Sequence, residues 1–441
     1  MRIALIVVPL VLLLAVAGFF AFKIIGLKQR LVGQLEAALH ANAQVGSLNL
    51  DLGQGELLAT NITLQNVRPD APWDTAAIDQ AAVHFRFADL FAPVLPLQVE
   101  ITGWKATLHT AAGASTAGTT AAPADNGAAP LETTISPANE PGSPWARVDH
   151  VAATNGEITI LLANNQTLAV HGVSFRADTP GGPDWTTELQ VDSIVAGTLT
   201  TGAGSVELHS SRNDATFTNL TLHCGDGQIN GSGDVELDAP HALKGSFTVA
   251  SVPVTMLVAV RWQMKVSGLV SGTLNYQGDD ASAGATGQLS ITGGKFNLFP
   301  WLGKATMLVG LPDITNMQVD QATADFNWKN HVLTLQNIDV RKPDVFRIGG
   351  EAAIAADDTI DAHLKLGLPA AAVAKWPKLQ TEVFNVPNDD FAWTDVHVTG
   401  TPDQLQEDLS PRLLAVGEEQ GADLLQQTKA KATDLLDQFL K

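Results

Sequence analysis

The sequence predicts a mostly β protein: a long, curled antiparallel sheet that stays open as a groove, preceded by a transmembrane helix and followed by an amphipathic one. Three observations carry this reading. Val, Ile, Leu and Thr recur in short stretches that alternate with polar residues, the period of a half-buried strand. Glycine is abundant, at 38 of 441 residues, and with Asn and Asp it punctuates those stretches as turn residues do. Finally, no long helical pattern separates the stripes, so neighbouring strands are expected to run antiparallel.

Residues 1–26 form the first element. Ile3 to Phe22 is an uncharged run of 20 residues. At about 1.5 Å per residue it spans the ~30 Å hydrocarbon core of a bilayer. Ala15-Val16-Ala17 also fits a signal-peptide cleavage site, but Phe19, Phe20, Phe22, Ile24 and Ile25 extend the apolar pattern past it, which favours an uncleaved anchor. Arg2 on one side and Lys23, Lys28 and Arg30 on the other nearly balance, so charge alone does not orient the chain. Leu31, Leu35, Ala38 and Leu39 then keep helical spacing, which predicts a short amphipathic helix from Leu27 to Ala41.

Strand patterns begin at Leu48 and complete an N-terminal β region, 27–110. Residues 111–146 are mostly Ala, Thr, Pro, Gly and Ser, too poor in apolar anchors to fold, and predict a linker or long loop. Residues 147–400 return to strands. Asn155-Gly156 reads as a turn. Leu220 and Leu222 share a face, Phe247 alternates with Val249, and Leu289 with Ile291. Phe326 and Trp328 precede a turn at Lys329-Asn330, and Ile360, Ala362, Leu364, Leu366 and Leu368 make the cleanest stripe. Roughly 16 to 20 strands at about 4.8 Å each are expected. Gly231-Ser232-Gly233 and Gly293-Gly294 read as turns or bulges.

One segment breaks the pattern. Phe296, Leu298, Phe299, Trp301 and Leu302 lead an apolar run to Val309 with no strand period. It is expected either to cover one end of the groove or to complete the core beneath the sheet. In residues 401–441, Leu424, Leu425, Leu435, Leu436 and Phe439 share a helical stripe, which packs on the sheet end or touches a membrane or partner.

The net charge of −20 argues against nucleic acid as a partner. Cys224 is the single cysteine, so no intrachain disulfide exists, and it reads as a buried structural thiol. No nucleophile elbow, zinc-protease helix, phosphate loop or dinucleotide fingerprint is present. The histidines, including His150, His171, His209, His223, His331, His363 and His397, are scattered through strands and strand edges, and the pairs Asp279-Asp280, Asp357-Asp358 and Asp389-Asp390 suit solvated turns. Catalytic residues, cofactor and metal are therefore all expected to be absent, and the chain is not expected to be an enzyme. A trough needs none of them. Leu220, Leu222, Phe247, Val249, Leu289, Ile291, Phe326, Trp328, Leu364, Leu366 and Leu368 are the candidates to line one and to shield acyl chains from water.

The order of features carries a resemblance. An anchor precedes "VGSLNLDLGQGELLATNITLQNV"; later come "GQLSITGGKFNLFPWLGKA", "ADFNWKNHVLTLQNIDV" and "FRIGGEAAIAADDTIDAHLKLGL". This resembles the AsmA-like family of Gram-negative envelope proteins and, more distantly, the TamB-type proteins, over nearly the whole chain. The resemblance implies a single-pass inner-membrane anchor with the bulk of the chain in the periplasm. It also implies a β-groove, phospholipid as ligand, and a role in transport to the outer membrane or its maintenance. The alternative is an assembly factor that offers exposed strand edges to outer-membrane or periplasmic partner proteins.

Overall fold

The computed structural model describes residues 41–109, 146–296 and 318–416, with short interruptions at connections, together with Gly303 and Met307. The expected anchor, most of the leading helix, nearly all of the Ala/Thr/Pro-rich stretch, and the C-terminal stripe from residue 417 lie outside the described residues. Among those described, no helix is long and apolar enough to cross a membrane. The described residues are mostly β, with 22 strands and a few short helices, and the chain divides into two compact units between Leu220 and Thr221.

In the first unit, β1 (Ala41–Asp51), β2 (Glu56–Asn66), β3 (Trp73–His84) and β4 (Leu95–His109) form an antiparallel meander. β1 begins where a helix was expected to end. Its Ala41, Ala43 and Val45 are buried while Asn42 and Gln44 are exposed, so good helix formers serve here as small core-facing strand residues. β5 (Ala146–Leu161) pairs with β4 in parallel, from Leu95↔Ala146 to His109↔Leu161. The sheet is therefore mixed, not wholly antiparallel. A parallel neighbour needs a connection of a dozen residues or more, and the stretch 110–145 is that connection. It joins two adjacent strands and does not separate the compact units. β6 (Thr167–Asp178), β7 (Trp185–Val191), β8 (Ser193–Ala196), β9 (Leu199–Thr200) and β10 (Gly204–Ser210) add antiparallel pairs.

Asn155-Gly156 is not a hairpin turn. It lies inside β5 as a bulge, where the register to β6 shifts and Asn155 takes φ +57°.

β11 (Asp214–Cys224) carries the chain across the division. In the second unit follow β12 (Gly227–Glu236), β13 (Leu243–Pro253), the short helices α1 (Val254–Leu257) and α2 (Val260–Gln263), β14 (Val266–Gly278), β15 (Ala283–Phe296), β16 (Gln321–Lys329), β17 (Val332–Lys342), β18 (Phe346–Ile354) and β19 (Ile360–Pro369). From β12 to β19 each strand pairs antiparallel with the next. Then come α3 (Ala370–Val373), α4 (Pro377–Glu382), β20 (Val386–Asn388), β21 (Phe391–Thr401) and β22 (Gln404–Glu407), with β21 pairing to β19, β20 and β22. Gly231 and Gly233 lie within β12 and make no turn, whereas Gly293 takes φ +61° near the end of β15, as a bulge requires. The β16–β17 hairpin turns on Asn330 (φ +52°) and His331 (φ +62°), one residue later than expected, because a two-residue turn matching the strand twist needs positive φ at both positions.

β22 lies within residues 401–441, ahead of their helical stripe. A helix over 409–416 follows, its first N–H groups at Leu409 and Ser410 donating to Glu407 Oε2 at 2.7 Å. Leu409, Leu413 and Val416 recur at helical spacing and are buried in one cluster with Leu364, Leu366, Leu368, Val373, Leu379 and Phe384. Each fully buried leucine contributes about 1.5–3 kcal/mol.

Candidate functional site

Directly opposed residues of an antiparallel pair share a face, so the register decides which side chains line one surface. In the second unit it links the sequence candidates strand by strand. Ile229 opposes Val249 and Gly231 opposes Phe247. Phe247 opposes Leu274, and Val249 opposes Gly272. Gly272 opposes Leu289, and Val270 opposes Ile291. Gly287 opposes Phe326, and Ala285 opposes Trp328. The line runs on through Phe326↔Leu335, Leu335↔Ala352 and Ala352↔Ala362 to β19, where Leu364 and Leu366 oppose Gly350 and Ile348. Leu222 belongs to the same face, since its neighbour Thr221 donates to Asn230 Oδ1 at 3.2 Å on the other side. Leu220 is the last residue of the first unit. The second-unit candidates, Leu222 to Leu368, thus lie on one continuous apolar face.

That face is not uniform. Leu222, Phe247, Val249, Leu289, Ile291, Phe326 and Trp328 are half-buried. Leu364, Leu366 and Leu368 are 5%, 0% and 0% exposed, because α3, α4 and the 409–416 helix complete the cluster that buries them. The face is therefore filled over β18–β21 and half-open over β12–β17, where Val270, Ala285 and Ala322 are buried but the large side chains named above are not. Glycines keep its accessible part low. A β-carbon on Gly231 would come within 2.4 Å of Phe247 Cδ1, and one on Gly287 within 2.8 Å of Phe326 Cε1, so each ring rests on a neighbouring bare backbone.

Two contacts reach across the second unit. Trp262 Nε1, just before β14, lies 3.5 Å from Asp358 Oδ1 in the β18–β19 turn. Lys265 Nζ lies 3.4 Å from Asp403 Oδ1 in the β21–β22 turn. Five pairings separate β14 from β19, which a flat sheet would hold about 24 Å apart. Trp262, Ile291 and Phe296 pack against the buried cluster. Phe296 ends β15 and is half-buried; Leu298, Phe299, Trp301 and Leu302 lie outside the described residues.

In the first unit the burial is deepest over β1–β5, where Ile62, Val99 and Val151 are wholly buried, while Phe175, Trp185, Leu189 and Val191 of β6 and β7 stay half-buried.

On the polar face, sequence reasoning missed one group. His363 and His397 stand 34 positions apart in the chain, yet they are direct partners across β19 and β21. Their rings stack with centroids 4.4 Å apart and 7° between planes. Asp361 Oδ1 lies 2.7 Å from His397 Nε2 and 3.7 Å from His363 Nε2. The hydrogen bond from His397 holds the Asp361 carboxyl below the usual aspartate range, with desolvation opposing it and the nearby imidazoles of His363 and His397 adding to it. No local motif marks such a group, since a strand register creates it. Cys224 is buried, and burial pushes its thiol up, in keeping with a structural role.

No protein-family model matches this chain, and no curated protein matches it significantly.

Proposed function

We propose that the second unit is a lipid-binding groove, and that this chain is a membrane-tethered carrier that shields phospholipid acyl chains. One observation carries the reading: an apolar face continuous in register across β12–β17 whose large side chains are only half-buried. A solvated face of this length costs free energy unless something apolar covers it. The Trp262–Asp358 and Lys265–Asp403 contacts support a curl that turns this face inward. The filled region beyond it then acts as a closed end, and headgroups remain in water at the open side. The apolar run Ile3–Phe22 would tether the groove beside its lipid source, which agrees with an inner-membrane anchor and a periplasmic body working toward the outer membrane.

The test is lipid mass spectrometry on residues 27–441 purified without detergent. Stoichiometric phospholipid, lost in Phe247→Asp and Leu289→Asp, is the expected result. A folded, lipid-free protein that also takes up no phospholipid from vesicles overturns the reading.

A further inference from the structure

We propose that Asp361, His363 and His397 form a metal site that takes a late first-row divalent ion, Zn²⁺ in the first instance, and clamps β19 to β21. The proposal rests on backbone register as much as on side-chain placement. Because His363 and His397 are direct cross-strand partners and Asp361 lies two residues before His363, all three project from one face of the sheet. Their ligand atoms, two imidazole nitrogens and a carboxylate oxygen, all lie within 4.8 Å of one another. Around tetrahedral zinc such atoms stand about 3.3 Å apart, with metal–ligand bonds of about 2.0–2.2 Å. Binding requires the two rings to tilt out of their parallel stack so that their in-plane lone pairs converge, and both Nε2 atoms already lie within 3.7 Å of the same Asp361 oxygen.

Donor chemistry selects the ion. Two imidazoles and one carboxylate suit zinc and its neighbours, whereas calcium and magnesium prefer all-oxygen shells. All three residues are exposed, so the ion exchanges freely with solvent and water completes its shell.

The position gives the site a purpose. Leu364 and Val396, the neighbours of His363 and His397, point the other way into the buried cluster at the closed end of the apolar face. Asp361 and His397 are 36 residues apart, and the chain between them includes α3, α4 and β20. An ion held by both strands ties this connection down and stabilises the folded state by mass action. This does not depend on the lipid reading.

The experiment uses the full chain, without a histidine tag, in detergent micelles after chelator treatment. Zn²⁺ is titrated by calorimetry, and thermal unfolding is followed with and without the ion. Saturable binding of one ion per chain is expected, with a raised unfolding temperature. The His363→Ala/His397→Ala variant should bind at least tenfold more weakly and lose that rise, while His209→Ala keeps both. Co²⁺ gives a readout on the unaltered protein: visible bands of imidazole-ligated cobalt are expected. A hexaaqua spectrum throughout, or less than tenfold weakening in the double variant, overturns the site.

Discussion

The indole of Trp104 lies directly over Gly156: a β-carbon there would come within 2.2 Å of its Cε2 atom. The two are partners across the parallel β4–β5 pair, and the ring meets Phe175 of β6 edge-on at 6.2 Å. Gly156→Ala forces the indole off this seat and should destabilise the first unit by about 1–3 kcal/mol, as overpacking does. A urea unfolding midpoint unchanged from wild type would show that the ring is not held there.

The two ends of the apolar face should respond oppositely to truncation. Leu366 is wholly buried, so Leu366→Ala should cost about 2–5 kcal/mol of stability. Leu289 is half-buried and lines the accessible part, so Leu289→Ala should cost far less stability yet weaken lipid retention. Chemical unfolding and lipid content, measured on both variants, separate core from groove.

Acid should weaken the His150–Asp178 link between β5 and β6. Asp178 accepts from His150 Nδ1 at 2.6 Å and from Arg176 Nε at 3.0 Å. The His150 hydrogen bond, partly offset by desolvation and aided by Arg176, holds the Asp178 carboxyl below its usual range. A depressed folded value means the unfolded chain takes up its proton first as pH falls. The contribution is therefore full above the ordinary aspartate value of about 3.9 and is lost as pH drops through the lower folded one. The stability gap between wild type and Asp178→Asn should be constant near neutrality and narrow below about pH 4, as read from urea midpoints across pH.

Cys224 should resist thiol reagents until the protein unfolds. Its side chain is 3% exposed, and burial disfavours the reactive thiolate. Labelling by an aromatic disulfide should track the denaturant unfolding curve. Rapid labelling of the native chain would place Cys224 at an accessible surface.

Much of the second unit was legible in one dimension. The alternation of Phe247 with Val249, Leu289 with Ile291 and Leu364 with Leu366 predicts strands, and side-chain period alone predicts which residues travel together. The bulge at Asn155-Gly156 was not legible, since the same dipeptide closes hairpins elsewhere and only the ring of Trp104 explains its place. Neither was the parallel β4–β5 pair, because an Ala/Thr/Pro-rich connection reads the same whether it joins two domains or returns along one sheet.

By itself the sequence determined the β class, the strand stripes, the apolar run at the N-terminus and the absence of an intrachain disulfide, because each depends on local period, hydropathy or a count. Only the tertiary structure decided that the stripes from Leu222 to Leu368 form one face, that its far end is filled by helices while β12–β17 stay half-open, and that His363 meets His397. Those facts depend on register and on which elements pack over a face, and both are settled by partners tens of residues away.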